Sequence, residues 1–437
     1  MKKLLTPFLF TLNSLSAINC FSQVNYEPNI KVETIAGTGV YGTMNGSIKT
    51  ASFAGPTGIS IDKEGNLYIV DRGISNIRKI GINDTVSTFA GIGTVGNTDG
   101  LALNSSFNLP FASDIDSLGN LYIADMDNYS IRKISTNGIV STLPGAATQN
   151  SPSVFSQPQG VALDNFGNVY VSDTYNNAIR KINLDGTIST IAGGSYYSYG
   201  LINGSGKSVA FKYPVGLVLD KDSSIYIADA GNNVIRKINA KGIVSTFAGT
   251  ETKGFEDGNV LTAKFNNPTG VCIDKDGNLI VVDRNNSAIR KISKLGIVST
   301  LAGGSSAGLV DGKGNIAQFN YPYSATTDKL GNIYIADSGN LTIRKISNDN
   351  ILTEVEKSLN LNLNIYPNPA KDYINVSLSE INGSHLHILD INGNEVFNLS
   401  LKDFNTKDSI SNLENGIYVF KIISQNNTFI QKVSILK

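Results

Sequence analysis

Six aspartates are each followed seven residues later by an arginine: Asp71 and Arg78, Asp125 and Arg132, Asp173 and Arg180, Asp229 and Arg236, Asp283 and Arg290, Asp337 and Arg344. Free guanidinium forks in such number would make six anion sites. Alternatively, each arginine closes its five donors on its own aspartate and on carbonyls of the same turn. A ligand rarely needs six copies of one site, so the pairs are expected to be structural. Single departures are better candidates for function. Asp114 is the one acid at its repeat position, where the other units carry Ser60, Ala162, Val218, Cys272 and Thr326. It would bind a cation or a hydroxyl, or else bond to local backbone. Arg72 and Arg284 follow the turn aspartate in two units only, and would meet an anionic ligand or serve as solubilising charges. The Asp-Gly and Asn-Gly pairs at Asp99, Asp257, Asp311, Asn45 and Asn203 offer oxygens that suit calcium. Calcium takes about six to eight ligands, and one acid per loop falls short, so these read as turns.

Other chemistry is poorly supplied. Both histidines, His385 and His387, fall after residue 350, which leaves the earlier part without a histidine base or zinc ligand. Cys272 has no histidine to activate it and reads as a small buried hydrophobe. The 437 residues carry 36 basic and 36 acidic side chains, so no global positive field gathers nucleic acid or acidic membrane. Charged residues are only 16% of the chain and glycines number 43, a composition that points to a turn-rich all-β protein.

The elements that position these residues come from repetition. Gly65-Asn66-Leu67-Tyr68-Ile69-Val70-Asp71 returns in similar form ending at Asp125, Asp173, Asp283 and Asp337, and a copy ending at Asp229 has Ser223-Ser224 in place of Gly-Asn. Each is followed by Ile-Arg-Lys-Ile, and Pro56, Pro110, Pro158, Pro214, Pro268 and Pro322 open the units. Successive units are spaced by 54, 48, 56, 54 and 54 residues. In the fourth, Gly216 to Asp220, Ile225 to Asp229, Ile235 to Ile238 and Val244 to Ala248 read as four strands joined by hairpins. Four antiparallel strands in about 50 residues make a propeller blade, which buries its faces only against its neighbours. The sixth unit lacks a clear fourth strand, and Val32 to Gly37 matches the missing piece. The expected fold is therefore all-β, a six-bladed β-propeller closed by the start of the chain.

The recurring Pro-x-Gly, Gly-Asn-Leu-Tyr-Ile, Ala-Asp-x-x-Asn and Ile-Arg-Lys-Ile resemble the NHL repeat family over roughly residues 31–350. Asp257-Gly258, Ala263, Phe265 and Pro268 are similar to its long-looped secreted members. The resemblance implies a role in binding protein, nucleic acid or small ligands, with a few distant enzymes. The histidine-rich zinc site of an amidating lyase and the inward glutamate of a regucalcin-like lactonase have no counterpart here. After the repeats, Tyr366-Pro367-Asn368-Pro369, Asp390-Ile391-Asn392-Gly393 and Leu413-Glu414-Asn415-Gly416-Ile417-Tyr418 are similar to the C-terminal sorting domain of the Bacteroidetes type IX secretion system. This resemblance implies contact with that secretion machinery and export across the outer membrane, followed by release or surface anchoring.

The expected layout is a signal peptide at 1–22, the propeller at 23–350, a linker at 351–362 and a small β-sandwich sorting domain at 363–437. Lipid attachment at Cys20 is the alternative for the leader. Cleavage removes Lys2 and Lys3, leaving 34 basic against 36 acidic residues. No later stretch reaches the roughly 20 apolar residues of a membrane helix. The fourth-to-first strand loops span 18 residues in four cases, while 146–157 has 12 and 194–213 has 20 with Tyr196, Tyr197 and Tyr199. A short loop beside a tyrosine-bearing one would leave a notch for a glycan or protein ligand; a self-packed loop is the alternative. The expectation is a secreted or surface-displayed binding module without cofactor. A calcium-dependent lactonase or lyase using Asp114, and a structural surface protein, are the rival readings.

Overall fold

The computed structural model describes residues 24, 26–147, 151–194, 199–304, 306–348, 364–377, 385–390, 395–401, 403, 405–423 and 428–437. The expected leader and linker lie outside these residues. The chain divides into two compact units between Ser347 and Asn348.

The first unit is a ring of six antiparallel sheets. Blade four runs outward through Pro214–Leu219, Ile225–Asp229, Val234–Ile238 and Ile243–Ala248. Its innermost strand begins two residues earlier than the sequence reading, because Pro214 already pairs with Asp229 across a bulge. The second strand of a blade is buried on both faces, which is why Leu-Tyr-Ile-Val-Asp reads as a continuous apolar run without alternation. The fourth strand borders solvent and alternates in burial. In blade six this outer strand is Ile30–Ala36, hydrogen-bonded beside Thr342–Asn348, so the start of the chain closes the ring. Ahead of it, Glu27 pairs with Lys291 and the Tyr26 hydroxyl donates to the Gly303 carbonyl, which ties the arm to blade five.

The long loops are less free than their length suggests. In five blades the loop adds a fifth, two-residue strand at the outer edge, such as Gly204–Ser205 beside Ile243–Ala248. It is held there by the repeated ion pair. Arg236 is fully buried and donates to Asp229 (3.0 Å), to the loop carbonyls of Ala210 and Ile202, and to the Asn203 side chain. Its guanidinium lies 5.1 Å from the Phe211 ring. The second oxygen of Asp229 accepts from the Lys212 amide. Asn45, Asp99, Asp257 and Asp311 cap the arginines of blades one, two, five and six in the same manner. These side chains therefore serve to hold the loop to its blade. In blade three, among the described residues, Arg180 bonds Asp173 and Thr190, and its side chain stays 15% exposed.

The second unit is a sandwich of two sheets. One is formed by Asn364–Tyr366, Tyr373–Ser377 and Asn405–Ser409; the other by Glu395–Ser400, His385–Leu389, Gly416–Ile423 and Thr428–Ile435. Ile374, Leu386, Ile388, Phe420, Ile422 and Val433 meet in its core. His387 bonds Glu395 across neighbouring strands.

Removing one partner of a fully buried pair strands a charge. Arg236→Met is therefore expected to lose about 3–5 kcal/mol in urea denaturation, and Arg180→Met clearly less, because Arg180 is partly hydrated. Equal losses would show that the loop contacts add nothing.

Candidate functional site

The two ends of the propeller axis differ. A cavity of about 640 Å³ runs along it, from the turns Asp116–Leu118 and Asp164–Gly167 inward to Phe111 and Tyr323. The inner strands approach closely at Gly58, Gly160, Gly216 and Gly270. A Cβ there would meet backbone of the next blade at 2.9, 2.0, 2.4 and 2.8 Å, respectively. Asp114 lines the cavity, but both its oxygens are taken: one by the Ile115 amide (2.8 Å), the other by the Leu163 amide of the adjacent blade (2.9 Å). Burial pushes its carboxyl up to about 6 against these stabilising bonds. Burial also pushes the Cys272 thiol up to about 12, far from a reactive thiolate. Among the described residues no three His, Cys, Asp or Glu side chains are grouped to share a metal. Asp114 thus joins two blades from within the cavity, whose mouth also carries Asp116 and Asp164.

The long-loop end is closed by side chains that the sequence reading did not single out. The residue after the opening proline is Thr57, Phe111, Gln159, Val215, Thr269 and Tyr323 in blades one to six. The even blades contribute apolar groups. Phe111 and Val215 cluster with Met126 and Ala230 beside Tyr323, and the Phe111 and Tyr323 rings meet edge to face at 5.1 Å. The odd blades contribute stitches between neighbours: Thr57 Oγ1 donates to the Phe111 carbonyl and Thr269 Oγ1 to the Tyr323 carbonyl, each at 2.8 Å. The alternation of polar and apolar types after the repeated proline was the signal available in the sequence.

Above this plug lie the two irregular arginines. The buried aspartate ends the second strand, and a single 3₁₀ turn follows, closed by a left-handed residue such as Ser75 (φ 52°) or Ser287 (φ 49°). The first residue of the turn faces the axis: Arg72 lies over Phe111 at 5.6 Å, and Arg284 over Tyr323 at 4.5 Å and Tyr321 at 5.1 Å. On the same end of the ring Tyr175, Tyr213 and Tyr321 are 37%, 44% and 48% exposed; the first two rings are 5.6 Å apart, and the third lies beside Arg284. Of the expected tyrosine wall, Tyr196 and Tyr197 lie outside the described residues. Tyr199 is exposed, with the Lys212 ammonium 5.7 Å from its ring. Exposed rings beside guanidiniums can stack on a flat ligand and donate to its oxygens.

Comparison with known proteins agrees with this architecture. Residues 364–436 match the family described as secretion system C-terminal sorting domain, and residues 155–182 and 265–292 match the NHL repeat. SUPPRESSOR OF QUENCHING 1, a chloroplastic protein of Arabidopsis thaliana, is 32% identical over 286 residues, which cover 59% of this chain and 27% of that protein. NHL repeat-containing protein 2 of Gallus gallus is 32% identical over 98 residues, covering 22% of this chain and 14% of that protein. The chain thus spans about a quarter or less of these relatives. A protein of unknown function from Bacteroides thetaiotaomicron has TM-score 0.59 and 24% identity, covering 73% of this chain and 76% of its own. An auxiliary nutrient binding protein from Bacteroides ovatus has TM-score 0.58 and 18% identity, covering 74% of this chain and 78% of its own. At such identity the likeness is one of fold.

Asp114 provides a pH test. Its folded carboxyl is protonated near pH 5 while the unfolded one is not, so this group favours folding more as pH falls from about 6 to 4. Wild type should gain stability relative to Asp114→Asn over that range, by up to roughly 3 kcal/mol. Parallel stability–pH curves would remove the group from this role.

Proposed function

We propose that this NHL-repeat propeller, carried on a secretion-system C-terminal sorting domain, is an exported binding module that takes a glycan or protein ligand on its long-loop face. The observation that carries the reading is the centre of that face, where exposed tyrosines and two arginines surround a closed apolar plug. A closed axis there gives a firm floor, and the loops around it are pinned by buried arginines, so little ordering is left to pay for on binding. Two fold neighbours are named nutrient binding proteins, but the reading for this chain rests on its own surface.

The sorting domain supports export by the type IX system and a final place outside the cell or at the outer-membrane surface. No helix among the described residues is long and apolar enough to cross a membrane. Deleting 363–437 should leave the propeller in the periplasm on cell fractionation; unchanged appearance in the medium or on the surface would refute the sorting role.

Exchanging loop 194–213 for a copy of 250–267 tests the face. Both loops carry a turn residue that caps the blade arginine, Asn203 or Asp257, and a phenylalanine under it, Phe211 or Phe265. The chimaera should therefore fold. It is expected to lose at least about tenfold in affinity for ligands found on a glycan array or among surface proteins, equivalent to roughly 1.4 kcal/mol. Unchanged binding would move the site elsewhere.

A further inference from the structure

Every one of the six repeat arginines pairs with its aspartate. The chain has eight arginines, and the remaining two, Arg72 and Arg284, form no ion pair with a described residue. They occupy the same repeat position in blades one and five, on either side of blade six; the other blades place Met126, Thr174, Ala230 and Ser338 there. Both are partly buried. Arg72 donates no side-chain hydrogen bond to a described residue. Arg284 reaches only neutral amide oxygens, Asn285 at 3.2 Å and Asn267 at 3.5 Å. A charge kept merely for solubility would stand out in water, whereas Arg72 sits 5.6 Å from the Phe111 ring centre and Arg284 4.5 Å from that of Tyr323. A guanidinium held against a ring still has donors left for a carboxylate or sulfate. The acid on the neighbouring blade-two turn, Asp127, is engaged by the Gln157 amide.

We infer that the long-loop end of the axis is a site for an acidic polysaccharide, with Arg72 and Arg284 as the partners of its carboxylate or sulfate groups. This rests on the long-loop face being the ligand face, and names the ligand's class. Two guanidiniums standing on different blades suit a chain whose charge repeats. The exposed Tyr175, Tyr213 and Tyr321 suit the apolar faces of sugar rings and donate to hydroxyls. An acidic peptide would meet the same arginines but gain less from rings bordered by amides.

The test is calorimetric titration of the purified protein with polygalacturonate, dextran sulfate, neutral dextran and polyglutamate. Binding is expected for at least one of the two acidic polysaccharides and not for dextran. The polygalacturonate and dextran sulfate arms separate carboxylate from sulfate recognition. Arg72→Gln and Arg284→Gln should each weaken it about tenfold or more, with melting temperatures near that of wild type. Arg72→Lys and Arg284→Lys, which keep charge and lose the fork, should fall between, and they carry the test if a glutamine variant does not fold. Binding of polyglutamate alone, binding of none of the four, or equal affinity in all variants would overturn the inference. If the arginine variants bind as wild type but the loop exchange abolishes binding, the acidic class falls and the face survives. If neither change matters, both fall.

Discussion

The buried aspartate–arginine pair of each blade holds together the end of the second strand, the middle of the third seven residues later, and the loop that arrives from the previous blade. Taking two charges out of water is costly unless their remaining donors and acceptors are met. Here Asp229 is met by the Lys212 amide and the Asn232 side chain as well as by Arg236, and the two terminal nitrogens of Arg236 by Asp229, two loop carbonyls and Asn203, with only Nε left over among the described residues. The pair therefore acts as a specificity device. A loop in any other position would leave a buried guanidinium unsatisfied, so an 18-residue connection behaves as part of the blade.

Blade three departs from this pattern. Its preceding loop is the shortest and has no Asp-Gly or Asn-Gly pair, and Arg180 bonds its aspartate through Nε with its side chain 15% exposed. Nearby, Asp114 spans the junction to this blade by accepting the Leu163 amide. An acid that looked like an isolated site is thus a bridge at the edge of the one shortened repeat.

The axis follows a different rule from the blades. Six inner strands converge, and there is room for large side chains from only some of them. Phe111, Val215 and Tyr323 come from alternate blades and meet, while the threonines between them turn to neighbouring carbonyls. The plug separates a cavity in which Asp114 accepts two backbone amides from a face on which Arg72 and Arg284 form no ion pair with a described residue. Arg72 and Arg284 owe their prominence to it, because they rest on its aromatic edge.

Much of this was legible without coordinates. The sixfold spacing of Asp71 and its equivalents, the four strand-length runs and the match of Val32 to Gly37 with a missing strand determined the fold, since these depend on local pattern and on a count. The self-satisfied role of the Asp–Arg pairs followed from their repetition, and the sorting domain from its motifs in order. What only the tertiary structure decided is which residues from different blades meet. The bridge made by Asp114 to the Leu163 amide and the contact of Phe111 with Tyr323 both join different blades. Spacing within a repeat reports neighbours inside one blade. Meeting across the axis depends on the angle and distance between blades, which no single repeat encodes.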